Sequence, residues 1–348
     1  MHQKTGSIKG CLEEPRVRVS HRVGTLQLAE LYAPVAADLE SCRTVLRDEL
    51  ISDQGFISDL CGHVAQFHGK LLRPALLLLT ARACGGLRPE HHVLAAVVEL
   101  VHIATLVHDD VLDEADVRRR AATVNRLWGN ERAVLMGDFL ISHAFHLCSR
   151  LDSQYAAQVI GATTNTICEG EMMQVANRHN LDLRADDYLD IIRRKTAALL
   201  GACCLLGAAF AEVDPAGVER MRIFGESLGV AFQIVDDVLD VVGDEAEVGK
   251  SLGRDARLGK VTLPLIHYMD GANGDARRVE LLALLGTDAP SVRRRLADLL
   301  RSASCVDSAL AVATGYVAEA RAALQYLPPS PARDSLSAMA EFVLARRL

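Results

Sequence analysis

A chain of 348 residues, half of them apolar, is long enough to bury the core of one large helical domain. Aromatic residues make up only 4% and alternating β-branched runs are scarce, which argues against a β architecture and for helix packed on helix. A formal net charge of −7 argues against general nucleic-acid binding, and an anionic substrate would need local Lys and Arg or a bridging metal.

Residues 1–25 mix charge, Gly and Pro without periodicity and read as a mobile leader; a single all-α domain is expected over 26–348. No apolar segment of signal-peptide type and no uninterrupted apolar run of about 18 residues occurs, so neither a signal peptide nor a transmembrane helix is expected. The nine cysteines lack CxxC spacing and read as reduced thiols of a cytoplasmic protein. The periodicity predicts a helix over 27–50, then a patterned stretch after Gly55 that leads to Gly69-Lys70-Leu71-Leu72-Arg73-Pro74. An apolar segment, Ala75–Ala83, stops at Gly85-Gly86, and a helix from about Arg88 runs to Asp109-Asp110-Val111-Leu112-Asp113. Arg118, Arg119 and Arg120 form a basic turn just beyond. Helices follow over 131–148, 161–176 and 186–211, the last holding Lys195-Thr196. Another, over 218–241, ends in Asp236-Asp237-Val238-Leu239-Asp240, a second copy of the same pentapeptide. A Gly- and Lys-rich loop carries Lys250, Asp255 and Lys260, and the rest is helical with a break at Pro328-Pro329-Ser330-Pro331.

The repeated pentapeptide organises the chain. On a helix, i and i+4 share a face, so Asp109 stands beside Asp113 and Asp236 beside Asp240. Like charges one turn apart cost roughly 0.2–0.5 kcal/mol unless something neutralises them. Two such clusters at the ends of apolar helices point to a shared cation, and an all-oxygen donor set favours Mg²⁺ over zinc. Two carboxylate clusters with dispersed Lys and Arg are the inventory for holding diphosphates. Gly249-Lys250-Ser251 lacks the upstream glycine and the preceding strand of a P-loop.

From about residue 30 to 345 the sequence resembles the trans-isoprenyl (polyprenyl) diphosphate synthases. The resemblance rests on seven blocks in order: Gly69-Lys70…Arg73-Pro74, Glu99…His102, Asp109…Asp113 with Arg118-Arg119, Gly137-Asp138, Lys195-Thr196-Ala197, Phe232-Gln233…Asp236…Asp240, and Gly249-Lys250…Asp255…Gly259-Lys260. It implies an all-α bundle around a deep central cavity, as a homodimer. It also implies Mg²⁺-dependent condensation of isopentenyl diphosphate with an allylic diphosphate, releasing diphosphate. Asp109, Asp113 and Asp236, supported by Asp110, Asp237 and Asp240, would bind about three Mg²⁺. Arg118, Lys195, Lys250 and Lys260 would hold the allylic diphosphate, and Lys70, Arg73, His102 and Arg119 the isopentenyl diphosphate. Thr196 and Gln233 would supply oxygen dipoles near the developing carbocation. Leu71, where many members carry Arg, and Arg120-Ala121-Ala122, where Gly-x-Pro is common, depart from the pattern and bear on fine substrate contacts.

The growing product would run down the helix that carries the first cluster, past Thr105, Ala104, Val101 and Val97. Where short-chain members often place an aromatic ring, four or five positions before the first aspartate, this chain has Thr105 and Ala104. A turn rises about 5.4 Å, comparable with one isoprene unit. The expected product is therefore longer than farnesyl diphosphate: a polyprenyl chain, with geranylgeranyl as the alternative. A terpene cyclase would not need Lys70, Arg73 and His102, and a non-catalytic subunit of a heteromeric synthase would be expected to lose aspartates or cations. A di-metal carboxylate oxidoreductase would need paired Glu-x-x-His motifs, and only Glu99…His102 is present in the relevant helices.

Overall fold

The computed structural model describes residues 28–67, 69–118, 121–243, 254–270, 274–284 and 290–345. The expected leader, 1–25, lies outside them, as do Arg119 and Lys250. The described residues are almost entirely helical: α1 (Leu28–Tyr32), α2 (Ala36–Glu49), α3 (Gly55–Val64), α4 (Leu72–Ala83), α5 (Pro89–Leu112), α6 (Val124–Trp128), α7 (Asn130–Ser149), α8 (Tyr155–Ala176), α9 (Ala185–Ile192), α10 (Ala198–Ala209) and α11 (Pro215–Val242). Beyond these come α12 (Arg254–Arg257), α13 (Leu263–Met269), α14 (Gly274–Leu284), α15 (Pro290–Ser302), α16 (Cys305–Ala323) and α17 (Pro331–Ala345).

Three departures from the sequence pattern have local causes. The helix expected over 27–50 is two, joined by a 3₁₀ turn at Ala33–Val35, because Pro34 has no N–H and its ring collides with the carbonyl four residues back. Arg118, the first of the basic residues after the first aspartates, lies in a two-stranded pair, β1 (Val117–Arg118) and β2 (Ala121–Ala122), with Val117 opposite Ala122. The stretch 186–211 is α9 and α10 joined by a π-helical turn, Arg193–Ala197, which contains Lys195 and Thr196. Such turns are rare and concentrate at functional sites.

The π turn is gripped from both sides by glycine. A methyl group on Gly229 of α11 would lie 2.6 Å from Ala197 Cα, and one on Gly170 of α8 would lie 2.5 Å from the Lys195 nitrogen. Only a missing Cβ lets the three backbones approach so closely.

α5 and α11, the two long helices that end in aspartates, run through the core. α5 packs on α2, α4 and α7, and α11 on α10 and α16. Among the described residues α5 alone is long and apolar enough to cross a membrane by composition, but two thirds of that stretch (67%) is buried against the rest of the fold. It is a core helix, with Glu99 and His102 buried inside the protein. The described cysteines are free thiols, mostly buried. Burial pushes Cys84 and Cys204 up to about 12 and Cys148 up to about 11.

Candidate active site

Both pentapeptides sit in the last turns of their helices, where the helix dipole already presents negative charge. Carboxylates there need cations, and around the first cluster each finds one. Arg118 Nε donates to Asp110 Oδ1 at 2.8 Å. Lys260 Nζ donates to Asp113 Oδ2 at 2.9 Å and lies 3.6 Å from Asp255. Lys195 Nζ stands 3.9 Å from Asp109, donates to Gln174 Oε1 at 2.7 Å and pairs closely with Glu171. A fourth cation, Arg178, reaches Asp113 Oδ1 at 3.2 Å.

Asp109 still titrates high. Burial raises it, Lys195 pulls it down, and Glu171 and Asp113 push it up again. Burial alone would lower Lys260, but Asp255 and Asp113 overcome it and hold the ammonium above its ordinary value.

In the second cluster Asp237 is held by neutral partners. Asp237 accepts the Tyr188 hydroxyl on Oδ2 and the Gln233 amide on Oδ1, both at 2.6 Å. Gln233 in turn accepts the Thr196 hydroxyl at 2.9 Å. Asp240 accepts the backbone N–H of Asp255 at 3.1 Å and so ties α11 to the segment leading to Lys260. Burial, with the nearby Asp255 charge, pushes Asp237 up to about 8 against the pull of its two hydrogen bonds. The same burial, with Asp237 beside it, raises Tyr188 well above the usual phenol range.

Two cavities are lined in part by α11. One, of about 70 Å³, is lined by Lys195, Thr196, Gln233, Asp237 and Lys260. The other, of about 410 Å³, is lined by Lys70, Arg73, Glu99, His102 and Phe232 and closed by apolar residues of α1 and α17. Leu71 holds a left-handed backbone (φ 48°) between Lys70 and Leu72, a strained conformation for a branched residue, so the chain turns into α4 with Lys70 and Arg73 on the same cavity. Of the residues expected to set product length, Val101 and Ala104 are fully buried and Thr105 is half-buried. The Thr105 hydroxyl donates to the His102 carbonyl at 2.8 Å.

The structure therefore gathers Asp109, Asp110, Asp113, Arg118, Lys195 and Lys260 into one charged cluster, and Thr196, Gln233 and Asp237 into a hydrogen-bonded chain beside it. Lys70, Arg73 and His102 share the second cavity. Sequence reading passed over Arg178 and Tyr188. Arg178 sits in a polar turn after α8 that has no periodic signal, and Tyr188 looks like one more apolar position of α9. Among the described residues no three His, Cys, Asp or Glu side chains form a ready-made metal cage.

The polyprenyl synthetase family model matches residues 54–302. The chain is 36% identical, over 91% of its length and 97% of the relative's, to an all-trans-nonaprenyl-diphosphate synthase (geranyl-diphosphate specific) of Rhodobacter capsulatus. It is 32% identical to the octaprenyl diphosphate synthase of Escherichia coli, over 92% of this chain and 99% of that one. A polyprenyl synthase from Caulobacter crescentus, solved with calcium and isoprenyl diphosphate, matches 92% of this chain and 98% of its own with a TM-score of 0.86 at 34% identity. With a family model matched over most of its length and full-length relatives at this identity, the chain belongs to the polyprenyl synthetase family.

Proposed function

We propose that the protein is a trans-prenyltransferase that condenses isopentenyl diphosphate, head to tail, with an allylic diphosphate. The observation that carries this reading is the pair of cavities: Gln233 and Phe232, consecutive on α11, line different ones, each with its own cations. Two anionic substrates could thus lie on either side of one helix.

In the reaction, the allylic C–O bond breaks with its electron pair leaving on the diphosphate. The isopentenyl double bond attacks the allylic carbon, and a proton then departs to the released diphosphate. Arg118, Lys195 and Lys260, with Lys250, would stabilise the charge that grows on the leaving group, an interaction stronger in the transition state than before it. Lys70, Arg73 and His102, with Arg119, would fix the isopentenyl diphosphate. The Thr196 hydroxyl is oriented by its donation to Gln233, which leaves its oxygen lone pairs to face an allylic cation. The apolar walls of α5, α10 and α11 keep water from that cation.

The donor set fits a hard divalent cation. It is all oxygen, and burial and like-charged neighbours raise Asp109, a strain that positive charge relieves. Asp109, Asp113 and Asp236, supported by Asp110, Asp237 and Asp240, would hold about three Mg²⁺. Bound Mg²⁺ supplies positive charge against the leaving diphosphate. The absence of a lost aspartate argues against a purely regulatory subunit. Exposed Val134, Leu135 and Phe145 of α7 and Met172 and Val175 of α8 support a homodimer that covers these helices.

The small side chains of Ala104 and Thr105 and the names of the octaprenyl and nonaprenyl relatives support a product longer than farnesyl diphosphate. Mass analysis of the product from farnesyl and isopentenyl diphosphates with Mg²⁺ tests both parts of the reading. A ladder of longer diphosphates is expected from the wild type, and a shorter, still active ladder from Ala104→Tyr. No condensation would overturn the function. An unchanged ladder with a loss of about 1–3 kcal/mol of stability would overturn the tunnel alone.

A further inference from the structure

Lys260 and Arg178 approach Asp113 from two separate loops, and Arg178 belongs to none of the recognised blocks. Lys260 comes from the turn after α12 and Arg178 from the turn after α8. The two turns are clasped together: the His179 N–H donates to the Gly259 carbonyl at 2.7 Å. Gly259 has a left-handed backbone (φ 71°), and any side chain there would run into the His179 ring. Arg178 and Lys260 are therefore placed jointly.

Arg178 spends little of its donor capacity. One terminal nitrogen serves both Asp113 Oδ1 at 3.2 Å and the Leu112 carbonyl at 3.4 Å. Its Nε–H is buried without a hydrogen-bond partner among the described residues. A buried, unused guanidinium donor is costly unless a ligand takes it up. The ligand chemistry follows from the surroundings. Arg178 shares its carboxylate with a divalent-metal candidate, so a metal taken up by Asp113 would release a planar, multi-donor cation suited to bidentate contact with phosphate oxygens.

We propose that Arg178 is a diphosphate-binding residue of the allylic subsite, held on Asp113 until a divalent cation takes that carboxylate. This rests on the prenyltransferase reading above. Metal and guanidinium compete for Asp113, and the displaced guanidinium then closes on the diphosphate. Binding of metal and of diphosphate is therefore coupled through one side chain.

The test is calorimetry with Mg²⁺ alone and then with inorganic diphosphate at saturating Mg²⁺, on wild type, Arg178→Met and Arg178→Lys. A charge-assisted contact is worth about 1.5–3 kcal/mol, so Arg178→Met is expected to weaken diphosphate binding roughly 10- to 150-fold. Arg178→Lys, which keeps the charge and loses the fork, is expected to fall between. Mg²⁺ alone is expected to bind Arg178→Met at least as tightly as wild type, because a competitor is gone. Wild-type diphosphate affinity in both variants, or weaker Mg²⁺ binding in Arg178→Met, would overturn the proposal. A wild type that binds magnesium diphosphate but condenses no substrates would instead overturn the prenyltransferase reading and leave this one standing.

Discussion

The two aspartate clusters have the same five residues, and their middle aspartates, Asp110 and Asp237, meet different groups: a guanidinium at Asp110, a phenol and an amide at Asp237. Around Asp109-Asp110-Val111-Leu112-Asp113 the partners are cations: Lys195, Arg118, Lys260 and Arg178. Around Asp236-Asp237-Val238-Leu239-Asp240, Asp237 is held by neutral donors, a phenol and an amide, and Asp240 takes a backbone N–H. The first cluster neutralises itself with groups that a metal and a diphosphate can displace. In the second, Asp237 and Asp240 are committed to holding α9 and the segment after α11 in place. Sequence identity therefore does not carry identity of role; the elements packed opposite decide it.

Substitution can break that comparison. The largest effect is expected for Asp109→Ala and Asp236→Ala, each losing roughly 10²- to 10³-fold in turnover at saturating Mg²⁺, the scale of removing one transition-state electrostatic contact. Asp237→Asn should lose far less, because protein donors already occupy both its oxygens. Steady-state rates on the three variants decide it, and equal losses would mean that the clusters play equivalent parts.

A smaller effect separates the clusters by stability. The i, i+4 rule alone predicts that losing an aspartate relieves repulsion and stabilises the metal-free protein. The cations reverse that sign at Asp113, whose removal takes from the largely buried Lys260 its hydrogen-bonded carboxylate and leaves Asp255 at 3.6 Å. Asp113→Ala should cost about 3 kcal/mol in chelated protein, and Asp240→Ala, which leaves the Asp255 backbone donor unmet, at least about 1 kcal/mol. Urea unfolding in the presence of a chelator measures both, and a gain in stability at Asp113 would contradict the assignment.

A last effect is a slope. Asp237 titrates near 8 when folded and near 4 when unfolded, so the folded state holds an extra proton between those values. Its contribution is greatest below about pH 4 and is lost as the pH rises toward 8. In chelated protein, Asp237→Asn should flatten the fall of melting temperature between pH 5 and 8. Parallel curves for variant and wild type would assign the slope to another group.

Much of this site was legible in the sequence because its parts lie in short blocks with distinctive chemistry. Aspartates at i and i+4, Lys195-Thr196 and Gly259-Lys260 announce themselves by residue type and spacing. What stayed hidden depends on partners distant in the chain. Tyr188 becomes significant only when α9 packs across α11, 49 residues on, and Arg178 only when the turn after α8 meets Asp113, 65 residues back. The π turn was equally unreadable, because its residues have ordinary helix preferences. Gly170 and Gly229, on other helices, make room for it. Pro34 was the exception, a break visible in the sequence that the apolar periodicity on either side concealed.

The π turn can also be seen as a phase change between two helical wheels. An α-helix advances about 100° per residue, and a π turn takes up one residue more than the α turn it replaces. α9 and α10 are therefore continuous through the turn while their faces are out of step. Upstream, Tyr188 is set against Asp237; downstream, Leu199, Cys203 and Leu206 are set into the core. Removing one residue between Arg193 and Ala197 would let the two wheels fall into register. Either Tyr188 or the buried face of α10 would then turn away by about a quarter of a revolution.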